Sequence, residues 1–236
     1  MDKNKGFKSI RYSGNRKGIH RNMTQVKIEN VTKRIRGNTV LESITMEMHS
    51  GKVYGLQGVN GSGKTMLMRI IVGLIRTTKG SVSIDGKELG KDVDFPESIG
   101  FLLENPAFLG RYSGLENLKL LAGIKNKISA EQIQEVLEIV GLDAQDKKKY
   151  RKYSLGMKQR LGIAAAIMEE PDIIILDEPT NALDEKGVAL VKKLILQQKK
   201  RGALIIVSCH DIDILQEISD EIFKLEAGKV TEHFFL

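Results

Sequence analysis

The run Gly58-Val59-Asn60-Gly61-Ser62-Gly63-Lys64-Thr65 sets two glycines, Gly58 and Gly63, ahead of a lysine and a hydroxyl at the spacing of a phosphate-binding loop. Glycine lets successive backbone N–H groups turn inward toward phosphate oxygens, and the positive N-terminus of a following helix adds to that attraction. Lys64 is then placed to bridge the β- and γ-phosphates, and the Thr65 hydroxyl is offered to Mg²⁺. A second group lies at Ile173-Ile174-Ile175-Leu176-Asp177-Glu178, an apolar strand ending in two carboxylates. Asp177 is suited to hold Mg²⁺ through water, and Glu178 to accept a proton from a water that attacks the γ-phosphate. Consecutive strand side chains point to opposite sides, so the two acids are expected to face apart. Alone, Asp-Glu-Pro is as well explained as a strand end entering a turn; beside the glycine loop the chemical reading prevails. The third group is Tyr153-Ser154-Leu155-Gly156-Met157-Lys158-Gln159-Arg160-Leu161, where Ser154 can cap a helix whose free N–H groups make another anion site.

These groups need elements to hold them. Residues 53–57 read as a short buried strand before the loop and residues 66–71 as a helix after it. Residues 25–31 and 41–48 alternate polar and apolar, as strands with one covered face, and predict an antiparallel start to the chain. A strand over 80–86 ends in the Asp85-Gly86 turn, and another is predicted over 98–103. The stretch 115–150 reads as mainly helical, with Ile133, Val136, Leu137 and Val140 at helical spacing after Ser129 as an N-cap. An Ala-rich helix over 162–170, a strand over 173–176, a helix over 186–200 and a strand over 203–208 follow. A last helix spans 212–218, and strands span 222–225 and 229–235. Buried strands alternating with helices predict a mostly parallel sheet covered on both faces.

The 236 residues suffice for one substantial core. The longest apolar runs fall far short of the ~20 residues of a spanning helix, and no apolar segment follows the basic N-terminus as in a secretory signal. A cytoplasmic protein is expected. The single cysteine, Cys209, excludes an internal disulfide and reads as a small apolar residue at a strand end. The formal charge of +7 is concentrated in residues 1–22, where Lys3, Lys5, Lys8, Arg11, Arg16, Lys17 and Arg21 face only Asp2. Taking that +6 from +7 leaves the body at +1, so no nucleic-acid partner is expected. The tail itself reads as disordered; it binds an anionic surface, or translation begins at Met23. The basic run Lys147-Lys148-Lys149 with Arg151 and Lys152 reads as a solvated loop, and His20, His49 and His233 lack metal-ligand spacing.

Taken in order, the glycine loop, the Asp177-Glu178 strand and the Ser154 motif resemble the ATP-binding subunit of an ABC transporter, over roughly residues 23–236. The resemblance implies an α/β fold: a P-loop NTPase core with a mostly parallel sheet, an N-terminal antiparallel β portion and an inserted α-helical subdomain at about 104–165. It also implies ATP and Mg²⁺ as cofactors. Ser154 and Gly156 would contact the γ-phosphate held by a second ATP-binding subunit, most simply another copy. Asn181-Ala182-Leu183-Asp184 resembles the loop linking two such shared sites, and His210 resembles the histidine that senses the γ-phosphate. A separate transmembrane permease would be driven by hydrolysis and would hold the protein at the inner face of the membrane, with the segment 104–120 as its docking groove. Three departures stand out. Glu104 occupies the position of the family's glutamine, where it would bring a further metal ligand and more negative charge. No aromatic is available to stack on adenine, only Arg34 and Ile35. Leu155 and Met157 replace a glycine and the glutamine of the family's Leu-Ser-Gly-Gly-Gln. With Asn105-Pro106-Ala107-Phe108, these departures resemble exporters of lantibiotics, bacitracin and similar peptide antibiotics. A soluble ATPase acting on nucleic acid or ribosomes, or a nucleotide-gated regulatory subunit of low turnover, are the alternatives.

Overall fold

The computed structural model describes residues 23–236; the expectations for residues 1–22, His20 included, lie outside the described residues. The chain begins as predicted, with antiparallel strands β1 (Gln25–Ile35) and β2 (Asn38–His49). Val26 and Ile28 are buried while Lys27 and Glu29 are exposed, the alternation of a sheet covered on one face. Strand β4 (Lys79–Ile84) adds antiparallel to β1, and a two-residue strand β5 (Lys87–Glu88), not anticipated from sequence, folds back on it through the Asp85-Gly86 turn. The order is β2-β1-β4-β5.

The second sheet has six strands, in the order Lys229–Phe235, Glu221–Glu226, Val53–Gln57, Leu204–Ser208, Ile173–Leu176 and Ile99–Leu102. Strands β3 (Val53–Gln57), β6 (Ile99–Leu102), β7 (Ile173–Leu176), β8 (Leu204–Ser208) and β9 (Glu221–Glu226) are parallel. Strand β10 (Lys229–Phe235) closes the edge antiparallel, through a hairpin whose two central residues, Ala227 and Gly228, have φ of 48° and 79°, the left-handed pair that a two-residue hairpin turn of matching twist requires.

Strand alternation divides the interior. Ile174 and Leu176 of β7 and Ile205 and Val207 of β8 face one apolar cluster, while Ile173, Ile175, Leu204 and Ile206 face the other. The first is filled by helices α2 (Gly114–Lys125), α3 (Ala130–Ile139), α4 (Leu155–Ile167), α5 (Glu185–Lys200) and α6 (Ile212–Ile218). The second is shared by the antiparallel sheet and α1 (Lys64–Val72). In β7 and β8 both faces are thus dry, which is why residues 173–176 and 204–207 run apolar without interruption.

The stretch 115–150 is not one helical run. Asn126, at φ 50°, ends α2, and Ser129 starts α3 with a capping box in which Gln132 answers its backbone N–H. Gly141 at φ 75° then stops the chain, and the Asp143 and Asp146 carboxylates accept from the backbone N–H groups of Gln145 and Lys148, both at 2.8 Å. Such local acceptors compete with helical hydrogen bonds. Helix α4 likewise starts directly after Ser154 and ends at Ile167, short of the expected 170, because Glu170 turns to φ 51° before Pro171.

Candidate functional site

At the tip of β3 the chain turns into the glycine loop, and α1 begins behind it with Gly63 as N-cap at φ 109°. The loop has no room for side chains where it matters. A Cβ on Gly58 would lie 2.3 Å from the Leu225 carbonyl oxygen and 2.6 Å from Ser62 Oγ, and one on Gly63 would lie 2.6 Å from Leu41 Cδ2. Gly61 is open, at φ 80°, and Val59 points outward, 75% exposed. Lys64 is buried and its ammonium donates to the carbonyls of Gly58 (2.6 Å) and Val59 (3.2 Å). The cation is thereby curled over the loop that it serves. Asn60 lines the same concavity.

Thr65, the second residue of α1, donates its hydroxyl to Asp177 Oδ2 at 2.6 Å. Asp177 is buried at the end of β7, and its Oδ1 accepts from Ser208 Oγ at 2.5 Å. Ser208 Oγ also accepts from the Glu178 N–H at 2.9 Å, and the Glu178 carbonyl accepts from Gln159 Nε2 at 2.9 Å. Glu178 does not continue the strand. Its φ is 51°, a left-handed conformation that interrupts the alternation expected from sequence, so both acids line one cleft instead of facing apart.

The Glu178 side chain is 15% exposed. Its Oε2 accepts from the His210 N–H at 3.0 Å, and Oε1 lies 3.4 Å from His210 Nε2 yet has no hydrogen bond. Burial holds the carboxyl above the usual carboxylate range, with the nearby Asp177 charge adding to the rise and His210 and Lys64 opposing it. A carboxylate so raised is a better proton acceptor than a solvated one.

The cleft encloses about 370 Å³. Glu104 borders it, two residues past the end of β6 at φ 57°, with Oε1 accepting from Arg69 Nη2 at 2.6 Å. The charge that Glu104 adds is therefore offset by a guanidinium that sequence reading overlooked. Neither Arg34 nor Ile35 borders the cleft; β1 carries them to the hairpin tip, where Ile35 pairs with Asn38, and Val40 of β2 supplies the apolar wall instead.

Ser154, Gly156 and Asp184 stand outside this cleft. Ser154 is exposed and its Oγ caps α4, accepting from the Met157 N–H at 3.2 Å. Gly156 lies against the loop 181–184, where a Cβ would come within 2.9 Å of the Ala182 carbonyl. Asp184 caps α5, accepting from the Gly187 N–H at 2.9 Å, and sits 3.4 Å from Arg160 Nη2. Cys209 is buried, its Sγ 3.4 Å from Thr180 Oγ1, and burial pushes its thiol up. Lys147 and Lys148 are exposed, while Lys149 pairs with Glu116. His49 and His233 pair with Glu47 and Glu221.

Ser208, Gln159 and Arg69 are the site residues that sequence reading did not single out. Arg69 had a signal, since it follows Thr65 by four residues on one helix face. Ser208 and Gln159 had none, because their roles depend on which strand and helix lie beside β7. The cradle also fits triphosphate and Mg²⁺ on its own terms: Ser62 Oγ is buried without a hydrogen-bond partner, Gly58 must stay bare, and one hydroxyl and one carboxylate converge at Thr65 and Asp177. Mg²⁺ is ordinarily held in this way, by one or two protein oxygens plus substrate phosphates.

Comparison with known proteins agrees. A family model described as ABC transporter matches residues 41–181. An uncharacterized ABC transporter ATP-binding protein, YybJ, of Bacillus subtilis (strain 168) is 47% identical over 205 residues, which cover 87% of this chain and 94% of that protein. The bacitracin transport ATP-binding protein BcrA of Enterococcus faecalis is 37% identical over 209 residues, covering 88% and 68%. Among solved structures, the ATP-binding cassette MJ0796, described as a dimer in a post-hydrolysis state bound to ADP and Pi, superposes with a TM-score of 0.78 at 28% identity, covering 89% of this chain and 98% of that one.

Proposed function

The chain belongs to the ABC transporter family of ATP-binding proteins and is an ATPase, and from that premise we propose that two copies clamp two molecules of ATP and drive the export of a peptide antibiotic through a separate membrane permease. The observation that carries this reading is the division of the site residues: Lys64, Thr65, Asp177 and Glu178 share one cleft, while Ser154 and Gly156 lie outside it on the same chain. A second copy would supply what the first lacks. In each site the N–H groups of residues 58–65 and the Lys64 ammonium hold the triphosphate, and Thr65 and Asp177 would hold Mg²⁺. That cation supplies neutralisation of the charge on the phosphoryl oxygens. Glu178 takes the proton of the attacking water, with His210 against its carboxylate to orient it. Ser208 and Gln159 keep the Glu178 backbone in its turned conformation. Asp184, two residues past the Ala182 carbonyl that lies against Gly156, would carry the state of one site toward the other.

The cargo reading rests on the similarity to the bacitracin transport protein and on Glu104 in place of a glutamine. No helix among the described residues is long and apolar enough to cross a membrane. The segment after β6 exposes Leu109 and Leu120, apolar surface of the kind a permease helix would cover at the inner face of the membrane.

Size-exclusion chromatography of Glu178→Gln with ATP and Mg²⁺ tests the clamp. A dimer should form only with nucleotide and should be lost when Ser154→Arg is added. A variant that stays monomeric at every ATP concentration, or hydrolyses ATP as fast as wild type, overturns it. Deleting the gene should sensitise the host to bacitracin-type peptides and not to unrelated antibiotics, and the Glu178→Gln gene should fail to restore resistance; unchanged sensitivity would remove the cargo assignment while leaving the ATPase intact.

A further inference from the structure

We propose that Arg69 is a positioning residue of the ATPase site, which holds the Glu104 carboxylate against α1 and so weakens the repulsion that this acid adds against triphosphate; this rests on the cleft being the ATP site. Among the described residues the cleft lining carries one ammonium, Lys64, against the carboxylates of Glu104, Asp177 and Glu178. A lining so weighted repels a polyanion. Asp177 and Glu178 are engaged by Thr65, Ser208 and His210. Among the described residues Glu104 has one ion-pair partner, the Arg69 guanidinium at 2.6 Å. Arg69 stands one helical turn beyond Thr65 on α1, so the residue that offers a hydroxyl to Mg²⁺ and the residue that restrains Glu104 share one face of one helix.

The pair is also a mechanical link. Glu104 opens the segment that carries Asn105, Pro106 and Leu109 away from β6, and its φ of 57° aims the side chain back at α1. Pro106 accepts the Tyr150 hydroxyl through its carbonyl, and Leu109 is tied to Asn117 of α2 at 2.9 Å. Arg69 therefore connects the phosphate-binding helix, through one side-chain contact, to the segment leading into the helices that surround the Ser154 motif.

The test is binding of a fluorescent N-methylanthraniloyl ATP by the full chain, with and without Mg²⁺, at low and high salt. Arg69 is one-third and Glu104 more than half exposed, so the expected loss in Arg69→Ala is about two- to fivefold in Kd, shrinking at high salt. The same substitution placed in Glu104→Gln should cost nothing further, and the exchanged pair Arg69→Glu with Glu104→Arg should bind more tightly than Arg69→Glu alone. Equal losses in both backgrounds would overturn the proposal, because Arg69 would then act on nucleotide directly or through the fold. Glu104→Gln alone, which leaves Arg69 in place and removes a negative charge, should bind more tightly than wild type; unchanged or weaker binding counts against the proposal even if Arg69→Ala does not fold. A wild-type chain that fails to bind the probe at all would instead remove the assignment of the cleft.

Discussion

Replacing Glu178 by glutamine should stabilise the nucleotide-free protein while abolishing its chemistry. The Glu178 carboxylate is mostly buried, and its Oε1 accepts no hydrogen bond. An unsatisfied buried acceptor costs about 1–3 kcal/mol, more when it is charged. His210 and Lys64 return part of that cost through their charges, and a glutamine amide would still lose some hydration, about 1 kcal/mol. The strain of φ 51° is common to both side chains and cancels. The net expectation is a gain of about 1 kcal/mol in Glu178→Gln, or a rise of ~2–4 °C in Tm for a chain of this size. The sign with pH follows from the raised carboxyl. The folded state binds this proton at a pH where the unfolded chain, near its ordinary 4.5, is still ionised, so wild type gains stability as pH falls through the folded value and has gained all of it below the unfolded one. The glutamine variant lacks that term, and its advantage should shrink from pH 8 toward pH 5. Urea unfolding of both proteins without nucleotide measures this, repeated in a His210→Gln background so that no imidazole faces the carboxylate. A variant less stable than wild type at pH 8, or a difference that does not change with pH, would refute the account of Glu178 as a charge held at a cost.

Gly58→Ala should lose nucleotide binding and about 1–3 kcal/mol of stability, since its Cβ meets the Leu225 carbonyl at 2.3 Å; mant-ATP titration and urea melts read both. Ser208→Ala removes one hydroxyl shared by Asp177 and the Glu178 N–H and should cost about 1–2 kcal/mol, with kcat reduced more than KM in steady-state ATPase assays. Thr65→Val keeps the shape of α1 but removes the 2.6 Å contact to Asp177; it should abolish the Mg²⁺-dependent increment of ATP affinity and leave metal-free binding within about twofold, a change well under the 1.4 kcal/mol that a tenfold difference represents.

The parts of this molecule that sequence could reveal are those where residue type follows directly from environment. Ile173 to Leu176 are apolar because both sheet faces are covered, and the spacing of Ile133, Val136 and Leu137 reflects one buried helix face. Gly58 and Gly63 are legible because nothing larger fits. What escaped reading depends on neighbours distant in sequence. Ser208 matters because β8 lies beside β7, Gln159 because α4 packs behind the same strand end, and Val40 because β2 crosses near α1. The stretch 115–150 is mainly helical as expected, but its end after Gly141 is irregular because the side-chain acceptors Asp143 and Asp146 sit among residues with good helix propensity and local hydrogen bonds outweigh that propensity.

The two glutamates show how much of the site is made by backbone conformation. Leu102 and Leu176 are partners across the β6–β7 pairing, and in each strand a glutamate follows two residues later in the left-handed region, at φ 57° for Glu104 and 51° for Glu178. Adjacent parallel strands thus end in matching turns, each returning a carboxylate toward the cleft at the carboxyl edge of the sheet, where open α/β folds bind their ligands. The difference lies in what meets them. Glu178 is mostly buried, and burial holds its carboxyl above the usual range, as the base proposed for it would need. Glu104 remains more than half in solvent and meets Arg69, so its charge is compensated. One backbone device used twice therefore presents two carboxylates in different surroundings, Glu178 mostly buried beside His210 and Glu104 mostly exposed beside Arg69. Exchanging the environments should exchange the properties: an arginine brought beside Glu178, as in His210→Arg, should lower its proton affinity and with it the rate of hydrolysis at neutral pH, even though the carboxylate itself is untouched. A His210→Arg protein with wild-type kcat and an unchanged pH profile would show that the basicity of Glu178 does not govern the rate.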